Sequence, residues 1–166
     1  MKVDAHLTAD WHKVPEHIKE LESHGFDGAG TAEMSHDPFM PLMLAAEHSK
    51  SIELHTGIAV AFARSPMVLA NLGHDLNAYS AGRFTMGLGS QVRPHITKRF
   101  SMPWGAPAAQ MRELVQAIRA IWANWYEGEA LHHDGKYYNH TLMTPAFTPE
   151  NTEYSAPKVT LAAVGP

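Results

Sequence analysis

The sequence alternates short apolar segments with single segments of helical period, and this alternation restricts the possible folds more than any other feature. The predicted strands cover residues 3–7, 26–32, 52–62, 84–88 and 159–164. Helical periodicity and helix-end residues place four helices between them, at about 14–24, 38–50, 66–81 and 111–125. Strands separated by single helices form a parallel sheet with right-handed crossovers, so the order β-α-β-α-β-α-β-α-β predicts an α/β fold.

Two architectures have this order of elements, a doubly wound sheet and a (β/α)8 barrel. The 166 residues suit one domain, and we predict a single domain over residues 1–166. A barrel usually requires about 250 residues. The length therefore favours a doubly wound sheet or only a part of a barrel.

Composition excludes several classes of protein. The absence of cysteine rules out disulfides, cysteine-ligated zinc and thiol nucleophiles. The 13 Lys and Arg against 17 Asp and Glu give a net charge of −4, which argues against a nucleic-acid partner. The longest fully apolar run, residues 58–63, is far shorter than the roughly 20 residues that span a bilayer, and the N-terminus does not read as a signal peptide. We expect a cytoplasmic protein with no membrane partner.

The carboxyl ends of the strands are where ligands bind in both architectures. Glu33 follows the second strand, where a carboxylate can position or polarise a ligand group. It can equally serve as a negative charge at the start of the next helix. Small residues at 56–62 leave room for a flat ring, although close packing explains them equally well. The loop that carries Arg93, His95, Arg99 and Trp104 suits an anionic or aromatic ligand, or is simply solvated.

Other chemistries lack their motifs. Gly87 and Gly89 have no third glycine at the dinucleotide-binding spacing, since residue 92 is valine. No Gly-x-Ser-x-Gly elbow is present for a serine nucleophile. The 12 histidines raise the question of a metal site, and His6 with Glu33 or Asp37 could converge at a barrel mouth. No His-x-His pair ends a strand, however, and His74 and the other histidines on predicted helices are expected to be exposed. We predict no metal site.

Several longer segments carry a family resemblance. They are Gly-Phe-Asp-Gly at 25–28 leading to Glu33, and the segments at 36–42, 56–66, 80–84, 87–91 and 161–166. In order and spacing they resemble the luciferase-like monooxygenase superfamily of flavin- and deazaflavin-dependent barrel oxidoreductases. Residues 99–104 and 111–113 are similar to the subgroup of coenzyme F420-dependent oxidoreductases.

This resemblance implies site residues. In related enzymes the third strand ends in a non-proline cis peptide bond that backs the isoalloxazine or deazaflavin ring, and the matching bond is Gly57–Ile58. Ser90 and Gln91 match positions that contact the ring and its ribityl chain. Glu33 matches a position near the pyrimidine side of the ring, and Glu33 and His6 are the implied catalytic residues for proton handling. A further ring-contacting segment matches Ala162, Ala163, Val164 and Gly165.

The fold class implied is a TIM (β/α)8 barrel of the bacterial luciferase-like type, present to about its fifth strand with four helices. The implied function is an F420-dependent oxidoreductase that transfers a hydride between the deazaflavin and a small organic substrate, with a homo-oligomer as a possible assembly. The alternatives are an FMN-dependent monooxygenase, a noncatalytic flavin-binding or interaction protein on the same scaffold, and a metal-dependent barrel hydrolase.

The length bears on this implied fold. Five parallel strands cannot close an eight-stranded barrel, so the first and fifth are expected to leave unpaired edges that favour self-association. In such barrels the cofactor phosphate usually binds near the loops after the later strands. We therefore expect part of a cofactor site here and no phosphate cradle.

Overall fold

The computed structural model describes residues 1–8, 10–150 and 153–163. Its helices are α1 (Val14–Ser23), α2 (Phe39–Glu47), α3 (Pro66–Tyr79) and α4 (Pro107–Glu127). Its strands are β1 (Asp4–His6), β2 (Gly28–Thr31), β3 (Glu53–Thr56), β4 (Ala59–Val60), β5 (Phe84–Gly89), β6 (His133–Asp134), β7 (Asn139–His140) and β8 (Lys158–Leu161).

The chain divides into two compact units. The first comprises Met1–Ala59, Leu72–Gly89 and Pro157–Pro166, and the second comprises Val60–Asn71 and Ser90–Ala156. A single domain over residues 1–166 stays a prediction.

The first unit is built on parallel strands in the order β1-β2-β3-β5-β8. Ala29 of β2 pairs with Ala5 on one side and with Leu54 on the other, while Thr85 of β5 pairs with Lys158. This parallel sheet with intervening helices confirms the predicted α/β class. Within residues 1–8, 10–150 and 153–163 no pairing joins β1 to β8, so the sheet is open and no barrel closes.

One face of the sheet forms the apolar core of this unit. Leu7, Leu54, Met86 and Leu88 are completely buried. The helices cover this face with side chains at helical spacing, which are Val14, Ile18 and Leu21 on α1 and Phe39, Leu42, Ala45 and Ala46 on α2. Burial of each large aliphatic side chain contributes about 1.5–3 kcal/mol, so this face supplies much of the stability of the unit.

The opposite face of the same sheet is polar. It carries Asp4, His6, Glu53, His55, Lys158 and Thr160, none of which is fully buried. Glycines on β2 make space for two of these side chains: an added Cβ would lie 2.6 Å from Oδ1 of Asp4 at Gly28 and 2.2 Å from Nε2 of His55 at Gly30. The sheet therefore has one dry face and one polar face.

The helix ends follow their sequence patterns. Gly25 adopts a φ of +78°, in the left-handed region that glycine favours, and its N–H donates to the carbonyl of Glu22. α1 ends there, as predicted. At the start of α3, Oγ of Ser65 accepts the N–H of Val68 at 3.3 Å, which confirms the predicted cap.

The predicted strand at 52–62 is wrong in its second half. β3 ends at Thr56, a cis peptide bond joins Gly57 to Ile58, and only the two-residue strand β4 follows. A 3-10 turn, Ala61–Ala63, then leads toward α3. The apolar run reflects burial, which a turn inside the core satisfies as well as a strand does.

Other boundaries also differ. The last strand of the sheet is Lys158–Leu161 rather than 159–164, and residues 164–166 lie outside the described part of the chain. The connection at 89–106 contains a π-helical segment, His95–Arg99. His74 on α3 is only 5% exposed, so its predicted exposure is wrong. Burial lowers the pKa of His74 because the charged imidazolium loses hydration.

The second unit is organised around the amphipathic helix α4. Leu114, Ile118, Ile121 and Trp122 of this helix are buried, and the indole of Trp122 donates to the carbonyl of Ala70 at 3.1 Å. Further along the chain, β6 and β7 form an antiparallel hairpin. They lie between the predicted fourth helix and the predicted fifth strand, where the sequence predicts neither helix nor strand. Burial, and then the charge of the neighbouring His133, lowers the pKa of His140 on β7.

No helix among the described residues combines the length and apolar character needed to cross a lipid bilayer.

Glu22 holds the loop that leads into β3. One oxygen of its carboxylate, Oε1, accepts the N–H groups of Lys50, Ser51 and Ile52 at 2.9, 2.6 and 3.0 Å. Desolvation raises the pKa of Glu22, but these hydrogen bonds outweigh it and lower the pKa from 4.5 to about 2. Because the folded-state pKa lies below the unfolded value, the carboxylate stabilises the fold above about pH 4.5, and this contribution disappears as the pH falls toward 2.

We expect Glu22→Gln to lower the free energy of unfolding by about 1–2 kcal/mol at pH 7, a value reduced for solvent exposure. The difference from the parent should shrink between pH 5 and pH 2, as measured by urea denaturation at several pH values. Glu20→Gln on the same helix is the control, because Glu20 is exposed and should change stability by less than about 0.5 kcal/mol. A difference between Glu22→Gln and the parent that is independent of pH would refute this role.

Candidate active site at the carboxyl ends of the strands

Backbone hydrogen bonds join the ends of β2 and β3. The N–H of Gly57 donates to the carbonyl of Thr31 at 2.6 Å, and the N–H of Glu33 donates to the carbonyl of Ile58 at 3.0 Å. Glu33 itself is only 9% exposed. The main chain of Glu33, the predicted catalytic residue, is thus bonded to the cis peptide unit.

The Gly57–Ile58 bond is cis, as the family resemblance implies. Gly57 is exposed and Ile58 is half-buried, so this peptide unit lies at the surface of the first unit. Its role in backing a cofactor ring stays a prediction.

Glycines in β5 allow the neighbouring strands to approach closely. The hydroxyl of Thr56 donates to the carbonyl of Gly87 at 2.7 Å and accepts the N–H of Gly87 at 2.9 Å. Two residues further on, an added Cβ at Gly89 would lie 2.7 Å from Cδ1 of Ile58 and 3.6 Å from Cβ of Ala162. The structure therefore brings together the predicted cofactor residues Ile58 and Ala162 around Gly89.

We call this group of residues the small-residue shelf; its members are Gly57, Ile58, Gly89 and Ala162. Gly57 and Ala162 are exposed, and none of the four carries a polar side chain. Such a surface offers backbone and small apolar groups against which a flat ring can lie. That a flavin or deazaflavin ring lies against the shelf stays a prediction from the family resemblance.

His6 ends β1 and lines a cavity of about 70 Å³. The other residues that line it follow β2 or begin the next helix, and they are Thr31, Ala32, Met34, Ser35, His36, Asp37 and Pro41. Asp37 has a structural role there, because its Oδ1 accepts the N–H of Phe39 at 2.8 Å at the start of α2. Two of the residues considered from the sequence, His6 and Asp37, are thus brought to one cavity.

A wider cleft of about 510 Å³ shares Ser35 and His36 with this cavity. Trp11 and His36 meet edge to face in it, with ring centroids 6.2 Å apart. The sequence pattern points to the carboxyl ends of the strands, but it does not single out Trp11, because only the folded chain shows that the indole meets the imidazole.

Five of the predicted cofactor residues lie outside the shelf or outside the described part of the chain. Ser90 and Gln91 belong to the second unit, where the hydroxyl of Ser90 donates to the carbonyl of Gln91 at 3.1 Å. Gln91 has a φ of +58°, a conformation that non-glycine residues rarely adopt, and its Oε1 accepts the N–H of Val92. Ala163 is exposed in the first unit, and Val164 and Gly165 lie outside the described residues.

Metal-ligating side chains do not cluster at these strand ends. Across the described ranges, no group of three or more His, Asp or Glu side chains is arranged to hold a metal ion. The strand ends offer instead the small-residue shelf, the buried residue Glu33 bonded through its main chain to Ile58, and a cavity that His6 lines.

Comparison with known proteins gives a family match along the chain. Residues 2–166 match the model of the luciferase-like monooxygenase family. The uncharacterized protein Rv1360 of Mycobacterium tuberculosis is 55% identical over 165 residues, which cover 99% of this chain and 48% of that protein. The 5,10-methylenetetrahydromethanopterin reductase of Archaeoglobus fulgidus is 25% identical over 141 residues, 84% of this chain and 41% of the reductase. The chain thus spans about half the length of these relatives.

Solved structures share the fold. The monooxygenase RslO1 from Streptomyces bottropensis superposes with a TM-score of 0.81 at 22% identity, over 97% of this chain and 53% of the other. The coenzyme F420-dependent tetrahydromethanopterin reductase from Methanopyrus kandleri gives 0.74 at 21% identity, over 99% and 50%. The oxygenating constituent of 3,6-diketocamphane monooxygenase of Pseudomonas putida, solved with FMN, gives 0.77 at 16%, over 97% and 51%.

The close approach at Gly87 gives a stability test of this region. An added Cβ would lie 1.8 Å from the carbonyl oxygen of Thr56, which is backbone and cannot move aside without disturbing the sheet. We expect Gly87→Ala to lower the free energy of unfolding by about 3 kcal/mol or more, measured by urea denaturation. Gly57→Ala is the matched control, because its nearest contact would be an ordinary 3.7 Å. Equal effects of the two substitutions would contradict this geometry.

Proposed function

The chain belongs to the luciferase-like monooxygenase family, and from this premise we propose that its protein is an F420-dependent oxidoreductase. In this proposal it transfers a hydride between the deazaflavin and a small organic substrate. The observation that carries the proposal is the small-residue shelf, with the carboxylate-bearing residue Glu33 joined to Ile58 by a main-chain hydrogen bond of 3.0 Å.

The shelf residues hold and orient the ring in this proposal. Gly57 and Ile58 back it through the cis peptide unit, while Ala162 and Ala163 present small side chains at the end of β8. Val164 and Gly165, which the family resemblance also implies as ring contacts, lie outside the described residues. For Ser90 and Gln91, contacts with the ring and its chain are implied by the family resemblance alone. The bound cofactor supplies the hydride chemistry, and the protein contributes binding, orientation and exclusion of water.

Proton handling falls to Glu33 and His6 in the proposal. The main chain of Glu33 is fixed by Ile58, and its side chain belongs to a residue that is 9% exposed, so few positions are open to the carboxylate. His6 lines the cavity beside the end of β2, where its imidazole can exchange a proton with a bound substrate.

The choice of F420 over FMN has two supports. The segments at 99–104 and 111–113 resemble the F420-dependent subgroup, and the structurally similar reductase of M. kandleri is named as F420-dependent. An FMN-dependent monooxygenase is the second candidate, because the P. putida enzyme with a TM-score of 0.77 was solved with FMN. Cofactor binding separates these two functions directly.

We expect the purified protein to bind F420 in a saturable manner, followed by the change in deazaflavin fluorescence, and to bind FMN at least tenfold more weakly. Ala162→Phe should weaken F420 binding at least tenfold, because a ring in place of the methyl group occupies the shelf. Ala108→Phe is the matched control on the exposed first turn of α4. Tight FMN binding with oxygen-dependent turnover and no F420 binding would refute the F420 proposal.

We expect Glu33→Gln to lower kcat by about 10²- to 10⁴-fold with little change in cofactor affinity, since the amide keeps the shape but cannot exchange the proton. The measurement is steady-state hydride transfer with the substrate identified by screening. Glu16→Gln, an exposed carboxylate in the first turn of α1, should leave kcat unchanged. An unchanged kcat in Glu33→Gln would remove Glu33 from the catalytic role, and the same assay on His6→Gln examines His6 independently.

A further inference from the structure

The hairpin of the second unit places two histidines opposite one another. β6 and β7 pair antiparallel, with His133 opposite His140 and Asp134 opposite Asn139. Directly opposite residues in such a pair project to the same face, with Cβ atoms about 4.5–5.5 Å apart. The two imidazoles therefore share one face of the hairpin.

Both imidazoles have a buried nitrogen that lacks a partner. Nε2 of His133 and Nε2 of His140 are shielded from solvent, and neither has a hydrogen-bond partner in the structure. Buried polar atoms are nearly always satisfied in folded proteins, so two such nitrogens on facing side chains require an explanation. A shared ligand that accepts two nitrogen lone pairs would satisfy both.

The surroundings hold the hairpin in place. Glu113 of α4 accepts the N–H groups of Tyr137 and Tyr138 at 2.6 and 2.7 Å, which fixes the turn of the hairpin to the helix. The turn is closed by the N–H of Gly135, which donates to the carbonyl of Tyr138 at 3.0 Å. Glu113 also interacts electrostatically with His133. His133 thus interacts with a carboxylate of which one oxygen, Oε1, is occupied by backbone donors.

We propose that His133 and His140 form a binding site for a divalent transition-metal ion such as Zn²⁺, coordinated by the two imidazoles and by water. Imidazole nitrogen suits Zn²⁺, Cu²⁺ and Ni²⁺, whereas Mg²⁺ and Ca²⁺ require oxygen ligands. Structural zinc sites use four protein ligands and catalytic sites use three. A site with two ligands therefore binds an exchangeable ion more weakly than either, and the bound ion links the two strands of the hairpin.

The test is a Zn²⁺ titration of the purified protein, followed by thermal unfolding and by the number of ions bound at equilibrium. The parent should bind one ion at this site and melt about 5 °C higher at saturation, and Mg²⁺ should have no effect. His133→Phe and His140→Phe should each lose the shift and one equivalent of bound Zn²⁺. His132→Phe, at the exposed neighbouring position, should keep both.

The variants are chosen so that folding and metal binding are separated. Phenylalanine keeps the ring and removes an unsatisfied buried nitrogen, so we expect the metal-free melting temperatures of His133→Phe and His140→Phe to match or exceed the parent value. No Zn²⁺ bound by the parent would overturn the site. Equal binding by the parent and by both folded variants would also overturn it, since the ion would then lie on other histidines.

Discussion

The close contact between Thr56 and Gly87 is the interaction on which the site geometry depends. The hydroxyl of Thr56 accepts the N–H of Gly87 at 2.9 Å and donates to the carbonyl of Gly87 at 2.7 Å. A Cβ added at Gly87 would lie 1.8 Å from the carbonyl oxygen of Thr56. This contact fixes β3 against β5 just before the chain changes direction at Gly57–Ile58. The carbonyl of Ile58 then accepts the N–H of Glu33, and the side chain of Ile58 lies against Gly89. This strand contact thus lies next to both the shelf and the main chain of Glu33.

Much of the fold could be predicted from the sequence because helical and strand periodicities are local. Gly25 and Ser65 end and begin helices through contacts with residues at most four positions away, so their roles are visible in the sequence. Periodicity alone does not show the interruption of the strand after Thr56, because a turn and a strand can bury the same apolar residues, whereas the family resemblance implies that the strand ends at Gly57–Ile58. The hairpin that contains His133 and His140 was also missed, since strands of two residues leave no periodic pattern.

The candidate site was predictable to the extent that strand ends determine it. The rule that ligands bind at the carboxyl ends of parallel strands located the segments around His6 and Glu33 without any structure. The edge-to-face contact of Trp11 with His36 could not be predicted, because the two residues are distant in sequence and meet only through the tertiary fold. Asp37 was considered as a metal ligand, but its carboxylate instead binds the first N–H groups of α2.

The two unlike faces of the parallel sheet have a consequence for how its sequence can vary. Along β1 and β3, exposed or half-exposed polar side chains alternate with less exposed residues, and on β8 Lys158 and Thr160 are exposed. Replacement of Glu53 or Lys158 changes mainly hydration and charge, whereas replacement of Leu54 opens a cavity in the core. Natural variation along these strands should therefore rise and fall with a period of two residues. A period of two residues would normally suggest an antiparallel sheet with one solvent-exposed face, although β1, β2, β3, β5 and β8 all pair in parallel.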